Sequence, residues 1–168
     1  TPSSVSNVLL TFGGVDPNNF TKQVLEAIYE YCHANRIVIK VITGFGYTKH
    51  HTLKTSPGVT IEPHVPNISE HMNSADIIFT SAGRTIYEVA STATPSIVLA
   101  QNERELTHLF ASPVHGFINL GLGSNVSSEE ILSAFVTLVE SEQTRMEMSR
   151  RMKEIELKSG RRRVISLI

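Results

Sequence analysis

A single cysteine, Cys32, stands among the 168 residues, so an internal disulfide framework is excluded. It falls within a helical apolar pattern and reads as a small buried hydrophobe, and the scarcity of thiols suits a reducing compartment. No apolar run approaches the roughly 20 residues of a membrane span, and no basic stretch leads into an apolar one at the start, as a signal peptide would. The expectation is a soluble, cytoplasmic domain without a transmembrane segment. An excess of either charge is also missing. Fifteen basic and sixteen acidic residues give a net charge of −1, which builds no broad positive field for nucleic acid or an anionic membrane. The run Arg161-Arg162-Arg163 is the exception and reads as a solvated helix face. Low-complexity tracts are absent too, and a hydrophobic fraction of 40% with 18% charged residues is ordinary for a globular chain. Residues 1–168 are expected to form one domain, since domains commonly run about 100–150 residues.

What is present is an alternation of short apolar runs and helical patterns. Asn7–Phe12 is an apolar run stopped by Gly13-Gly14, which reads as a buried strand. Asp16-Pro17 offers an N-cap and a first-turn proline to a helix whose apolar residues, Phe20, Val24, Leu25, Ile28 and Cys32, recur at helical spacing. The β-branched stretch Arg36–Thr43 follows closely, completing a βαβ unit with parallel strands. Residues 47–58 read as a loop, Val59–Glu62 as a third strand, and Asn67 as the cap of a short helix through Met72. Then come a strand at Ala75–Thr80, a helix at Arg84–Thr92, a strand at Pro95–Ala100, a helix at Glu103–Ser112 and a strand at Gly116–Leu120. A capping box in Ser127-Ser128-Glu129-Glu130 opens a helix with an Ile131, Leu132, Phe135, Leu138, Val139 stripe, and a last helix spans Ser141–Lys158. Such alternation predicts an α/β fold: a Rossmann-like, doubly wound, parallel six-stranded sheet with helices on both faces. Ligands of these sheets bind beyond the carboxyl ends of the strands, which gathers loops 13–16, 44–48, 63–66, 81–84 and 101–103 on one edge.

Within that edge, Ser81-Ala82-Gly83-Arg84-Thr85 joins a strand to a helix through small residues. Bare amides at a helix start can hold a phosphate, although a tight packing turn has the same composition. Glu88, one turn further on, has the reach to accept from ribose hydroxyls, or to pair with Arg84 on the helix surface. Gly13-Gly14 is a second glycine turn able to approach a phosphate or sugar. Gln101, Asn102 and Glu103 open the next helix on the same edge and are the candidates to meet a sugar, with Asn102 either an N-cap or a contact to a sugar hydroxyl. Among the seven histidines, His50-His51 and His64 lack the partners and spacing of a metal site, and Ser81 lacks a nucleophile elbow. No metal and no cofactor are expected.

The residues carrying these features also match a known pattern. Asn67–Asp76, Ser81–Glu88 and Pro95–Asn102, with Leu10–Pro17 at the start and Ser159–Ile165 at the end, resemble the C-terminal domain of the UDP-sugar hydrolase of pseudaminic acid biosynthesis. More distantly the chain is similar to the C-terminal domain of the GlcNAc transferase that forms lipid II, both being GT-B-type enzymes. The resemblance implies a diphosphate held by Ser81, Ala82, Gly83, Arg84 and Thr85 with Gly13 and Gly14, a ribose held by Glu88, and uracil read by the backbone of His64 and Val65. It implies UDP or a UDP-sugar as ligand, and an N-terminal domain of the same protein, supplying the group that activates water or acceptor, as partner. Arg84 departs from the hydrolase pattern, which tends to a smaller residue there, and adds positive charge toward the phosphates. The chain is thus expected to be the donor-binding domain of a UDP-sugar hydrolase or glycosyltransferase of cell-surface polysaccharide or nonulosonic acid synthesis. The alternative is a non-catalytic regulatory or scaffold module that binds a protein or another nucleotide on the same edge.

Overall fold

A computed structural model describes residues 3–155. Six strands, β1 (Asn7–Thr11), β2 (Val38–Ile42), β3 (Val59–Glu62), β4 (Ile77–Thr80), β5 (Ser96–Ala100) and β6 (Phe117–Leu122), form one sheet in the order β3-β2-β1-β4-β5-β6. Every neighbouring pair is parallel. The helices between them are α1 (Phe20–Ala34), α2 (Ile68–Ser74), α3 (Thr85–Thr92) and α4 (Glu103–Leu106), and α5 (Ser128–Glu140) and α6 (Glu142–Glu154) follow β6. The doubly wound α/β expectation is met, and the strand order reverses between β1 and β4.

The central strands are apolar on both sides because both faces are covered. Along β1, Val8 and Leu10 enter one core layer with Val24 and Ile28 of α1 and Phe135 of α5, while Leu9 enters the other with Met72 of α2 and Ile86 of α3. This is the two-residue period of a strand read against two helical layers. Each fully buried aliphatic side chain contributes about 1.5–3 kcal/mol. Helix α6 serves both layers, with Met148 in the first and Met152 in the second. Asp76 pins the entry of the sheet, its carboxylate accepting from the amides of Ser6 at 2.7 Å and Asn7 at 2.9 Å. Cys32 is buried in the first layer as expected, and burial pushes its thiol up to about 12.

Two further polar groups are deeply embedded. Arg145, fully buried in α6, donates to the carbonyls of Leu138 at 2.6 Å and Val139 at 2.9 Å, which end α5, and to Ser3 at 3.0 Å. It closes one helix end with the side chain of the next. Asp16 caps α1, but not as the residue adjoining it. The helix starts at Phe20 behind a left-handed Asn19, Pro17 lies in the preceding turn, and the Asp16 carboxylate reaches forward to the amides of Phe20 and Thr21.

Other boundaries also differ from the sequence expectation. The helix expected over Glu103–Ser112 ends at Leu106, and residues 107–112 form turns leading to a 3-10 segment at Pro113–His115. The last strand is Phe117–Leu122 rather than Gly116–Leu120, with a register shift against β5 between Val98 and Ala100. The capping box at Ser127 and Glu130 is present. Lys158, the Arg161–Arg163 run and the Ser159–Ile165 segment lie outside the described residues.

Candidate functional site at the strand reversal

The loops after β1, β4 and β5 enclose a cleft of about 880 Å³ at the point where the strand order reverses. Its wall on the β1 side is Phe12–Pro17. Gly13 is in the left-handed region (φ +78°), and a β-carbon there would stand 3.7 Å from the Thr85 hydroxyl and 3.8 Å from that of Ser81, so the two small-residue turns face each other closely. Behind this turn, Gly46 donates its amide to Gly14 at 2.9 Å. A β-carbon on Gly44 would overlap the Gly13 carbonyl and the Gly14 Cα. Gly44→Ala is therefore expected to force the Gly13-Gly14 turn out of place. A thermal melt should show a loss of about 1–3 kcal/mol, the usual cost of overpacking.

On the opposite side, α3 begins beside the cleft. Among the described residues, the amides of Gly83, Arg84 and Thr85 donate to no protein group, as the first turn of a helix requires unless a ligand or water takes them. Arg84 and Glu88 both line the cleft, and no ion pair joins them. Both side chains are thus available to a ligand.

Ala82 is placed differently from its neighbours. Its side chain is buried in the second core layer, its amide donates to Glu105 Oε2 at 3.1 Å, and its carbonyl is met by His108 Nδ1 at 2.9 Å. The amide expected to cradle phosphate at that position is occupied by a carboxylate. Glu105 Oε2 also accepts from the amide of Gln101 at 2.8 Å, which ties the start of α4 to the start of α3.

The floor is a buried polar network. Asp16 accepts from Phe20 N at 2.9 Å, Thr21 N at 2.8 Å, Thr21 Oγ1 at 2.7 Å and Gln101 Nε2 at 2.7 Å. Gln101 in turn accepts from Asn18 through both its backbone and side-chain oxygens. The Gln101 side chain, expected to meet a sugar, is buried in holding the β1 loop to the β5 loop. Asn102 lines the cleft and is also an N-cap, accepting from Glu105 N at 3.1 Å. Glu103 is exposed and not part of the wall, where Arg104, Glu105 and His108 stand instead. His64 and Val65 are outside the wall as well: His64 lies edge-on to Phe45 at 6.1 Å, and the Val65 side chain packs into the second core layer.

Sequence reasoning missed Glu105, His108 and the reach of Asp16 to Gln101. The Asn102-x-x-Glu105 spacing, that of a capping box, was the available signal for Glu105.

No family model matches the chain. An uncharacterized protein of Methanocaldococcus jannaschii is 34% identical over 102 residues, covering 58% of this chain and 21% of that protein. Among solved structures, the glycotransferase of kitacinnamycin superposes with a TM-score of 0.72 at 18% identity, over 99% of this chain and 43% of that one. The spinosyn rhamnosyltransferase SpnG, complexed with thymidine diphosphate, gives 0.64 at 14% identity over 92% and 43%. The C-terminal domain of a group 1 glycosyl transferase (LpcC) from Francisella tularensis gives 0.67 at 12% identity over 89% and 83%. The fold is that of the C-terminal domain of GT-B glycosyltransferases. The chain spans about a fifth of the archaeal relative and under half of the first two of these structures.

Proposed function

We propose that this chain is the donor-binding domain of an enzyme acting on nucleotide-diphosphate sugars, a UDP-sugar hydrolase or a glycosyltransferase. The observation that carries it is the group of three amides, Gly83, Arg84 and Thr85, that among the described residues donate to no protein group at the start of α3, on residues that line the cleft. Oriented donors at a helix N-terminus stabilise a diphosphate and the charge that develops on it as a leaving group. Because Glu105 holds the Ala82 amide, the phosphates are assigned to the Gly83–Thr85 side, facing Gly13 and Gly14. Glu88, one turn along and without an ion pair among the described residues, is assigned to the ribose hydroxyls, and the backbone of His64 and Val65 to the base. The group that activates water or acceptor is assigned to a separate N-terminal domain of the same protein. That assignment is supported by the fraction of the glycosyltransferase chains that this one covers. A cytoplasmic location suits such a donor, and among the described residues no helix is long and apolar enough to cross a membrane.

Calorimetric titration with UDP and ADP tests the assignment. Saturable UDP binding, stronger than that of ADP, is expected, and Glu88→Ala should weaken it by about 1–3 kcal/mol. Absence of uridine nucleotide binding would favour the regulatory or scaffold module, and unchanged affinity in the variant would remove Glu88 from the site.

A further inference from the structure

We propose that the turn Gly44-Phe45-Gly46 is a membrane-docking tip, with the Phe45 ring entering the interface of a bilayer that carries anionic lipids and the cations beside it meeting the headgroups. Phe45 is 91% exposed, more than any other large apolar side chain among the described residues. Val15 stands beside the turn, since a β-carbon on Gly46 would lie 3.3 Å from Val15 Cγ2, and it is 58% exposed. Neither Phe45 nor the neighbouring His64 lines the cleft, so the ring lies outside the donor site. The turn is also firmly held. Tyr47 donates its amide to Gly44 at 3.1 Å, which leaves Phe45 at the tip of a tight turn. Gly46 donates its amide to Gly14 at 2.9 Å, the Tyr47 hydroxyl donates to Asn19 Oδ1, and the Lys49 ammonium donates to the Pro17 carbonyl at 2.6 Å. Tyr47 itself is buried in the first core layer. A ring held out on a fixed turn exposes apolar surface to water and has little backbone freedom left to lose on docking, which is the form of a preorganised anchor.

The near-even charge of the whole chain hides a local excess of one sign. Lys49, His50 and His51 follow Phe45 in the same loop, and His64 lies edge-on to the Phe45 ring at 6.1 Å; all three imidazoles are exposed. The carboxylates on the elements around them are engaged. Asp16 is buried under four hydrogen bonds, Glu62 at the end of β3 is paired with Lys40 at 2.7 Å, and Glu70 of α2 accepts from Asn67 at 3.0 Å. On α1, Glu26 is paired with Lys22, and Glu30 shares a groove with Lys54 further along the segment. The field at the tip is therefore positive, and imidazoles gain charge as the pH falls toward about 6. An aromatic ring among basic groups is the chemistry of peripheral attachment to an anionic leaflet. A protein partner would need about 800 Å² from each side, of which Phe45 and Val15 supply a small part, whereas a bilayer interface accepts a single ring.

The chain has no tryptophan, so emission from a Phe45→Trp variant reports on this one position. The 168-residue chain and its variants are mixed with vesicles of phosphatidylcholine alone or of phosphatidylcholine with phosphatidylglycerol. At about pH 6 the anionic vesicles should shift the Phe45→Trp emission to the blue and carry the unsubstituted chain down on sedimentation, and the neutral vesicles should do neither. Raising the pH to about 8 should weaken association several-fold, because the anionic surface stabilises the protonated imidazoles, and added salt should weaken it further. Phe45→Ser should lower partitioning roughly tenfold with the melting temperature unchanged. No association with anionic vesicles would overturn the proposal and leave the charge to an acidic protein partner. Equal association with both kinds of vesicle, or unchanged partitioning in Phe45→Ser, would overturn it as well. So would a blue shift of Phe45→Trp produced by UDP without vesicles, which would put the ring in the donor site. Docking is read in the absence of nucleotide, so failure of UDP to bind would remove the donor-site reading and leave the tip standing.

Discussion

Replacing Asp16 by alanine is expected to lower the unfolding free energy by about 3–4 kcal/mol and to weaken UDP binding by roughly tenfold. The carboxylate is buried and accepts four hydrogen bonds, two from the first amides of α1, one from the Thr21 hydroxyl and one from Gln101. Alanine leaves those donors without an acceptor where water has little access, and such groups cost about 1–3 kcal/mol each when nothing relaxes. The loss of binding has a different origin. Without Asp16 the Gln101 side chain is no longer fixed, and Gln101 is the joint between the loop carrying Gly13-Gly14 and helix α4, which carries Glu105. Asp16→Asn, which keeps one carbonyl oxygen, should lose about half as much stability. Chemical denaturation of the three proteins checks the ranking, and an alanine variant within 1 kcal/mol of the parent would show that the network is not supporting the fold.

Arg145→Ala should be at least as costly, about 3–5 kcal/mol, with a melting temperature lower by roughly 10 °C for a domain of this size. Three carbonyls from two separate parts of the chain, the end of α5 and the segment before β1, converge on one guanidinium. Deleting it opens a cavity and strands those carbonyls together. Lysine is not a conservative replacement, because a single ammonium on a flexible stem cannot span acceptors that the planar fork reaches at once. Arg145→Met separates the two contributions by filling most of the volume while leaving the carbonyls unmatched, and it should fall between alanine and the parent. A methionine variant as stable as the parent would assign the whole effect to packing.

The sheet was legible because its signals are local. Runs such as Ile77–Thr80 and Ser96–Ala100 are buried at every position and apolar but for Thr80 and Ser96, as suits strands covered on both faces, and each ends at a turn that the sequence announces. The two glycine turns and Glu88 were legible for the same reason, since strand, small residues, helix and one turn onward are counted along the chain. The helix expected through Ser112 failed because Leu106, Leu109 and Phe110 imitate an apolar stripe. The backbone instead leaves the helix at Thr107, where His108 turns toward Ala82. Leu109 is consequently 82% exposed. The long-range bonds of the polar network were not legible: Asp16 and Gln101 are 85 positions apart, and Glu105 meets an amide 23 positions away. No periodicity encodes such pairs, because they exist only once the strand order has been set. His64 and Val65 follow β3, the outermost strand on that side, two strands away from the reversal.

The margins of the sheet bear on how the chain behaves in company. At one margin, α6 packs so closely against the entry to β6 that a β-carbon on Gly116 would overlap the Met148 carbonyl. At the other, β3 is only four residues long, and its last residue, Glu62, is paired with Lys40 at 2.7 Å. Short, charged or sheltered borders of this kind deny a second molecule a long row of unpaired backbone groups to add onto. A molecule so bordered resists stacking sheet upon sheet into polymers, even though its middle strands are among the stickiest sequences in the chain.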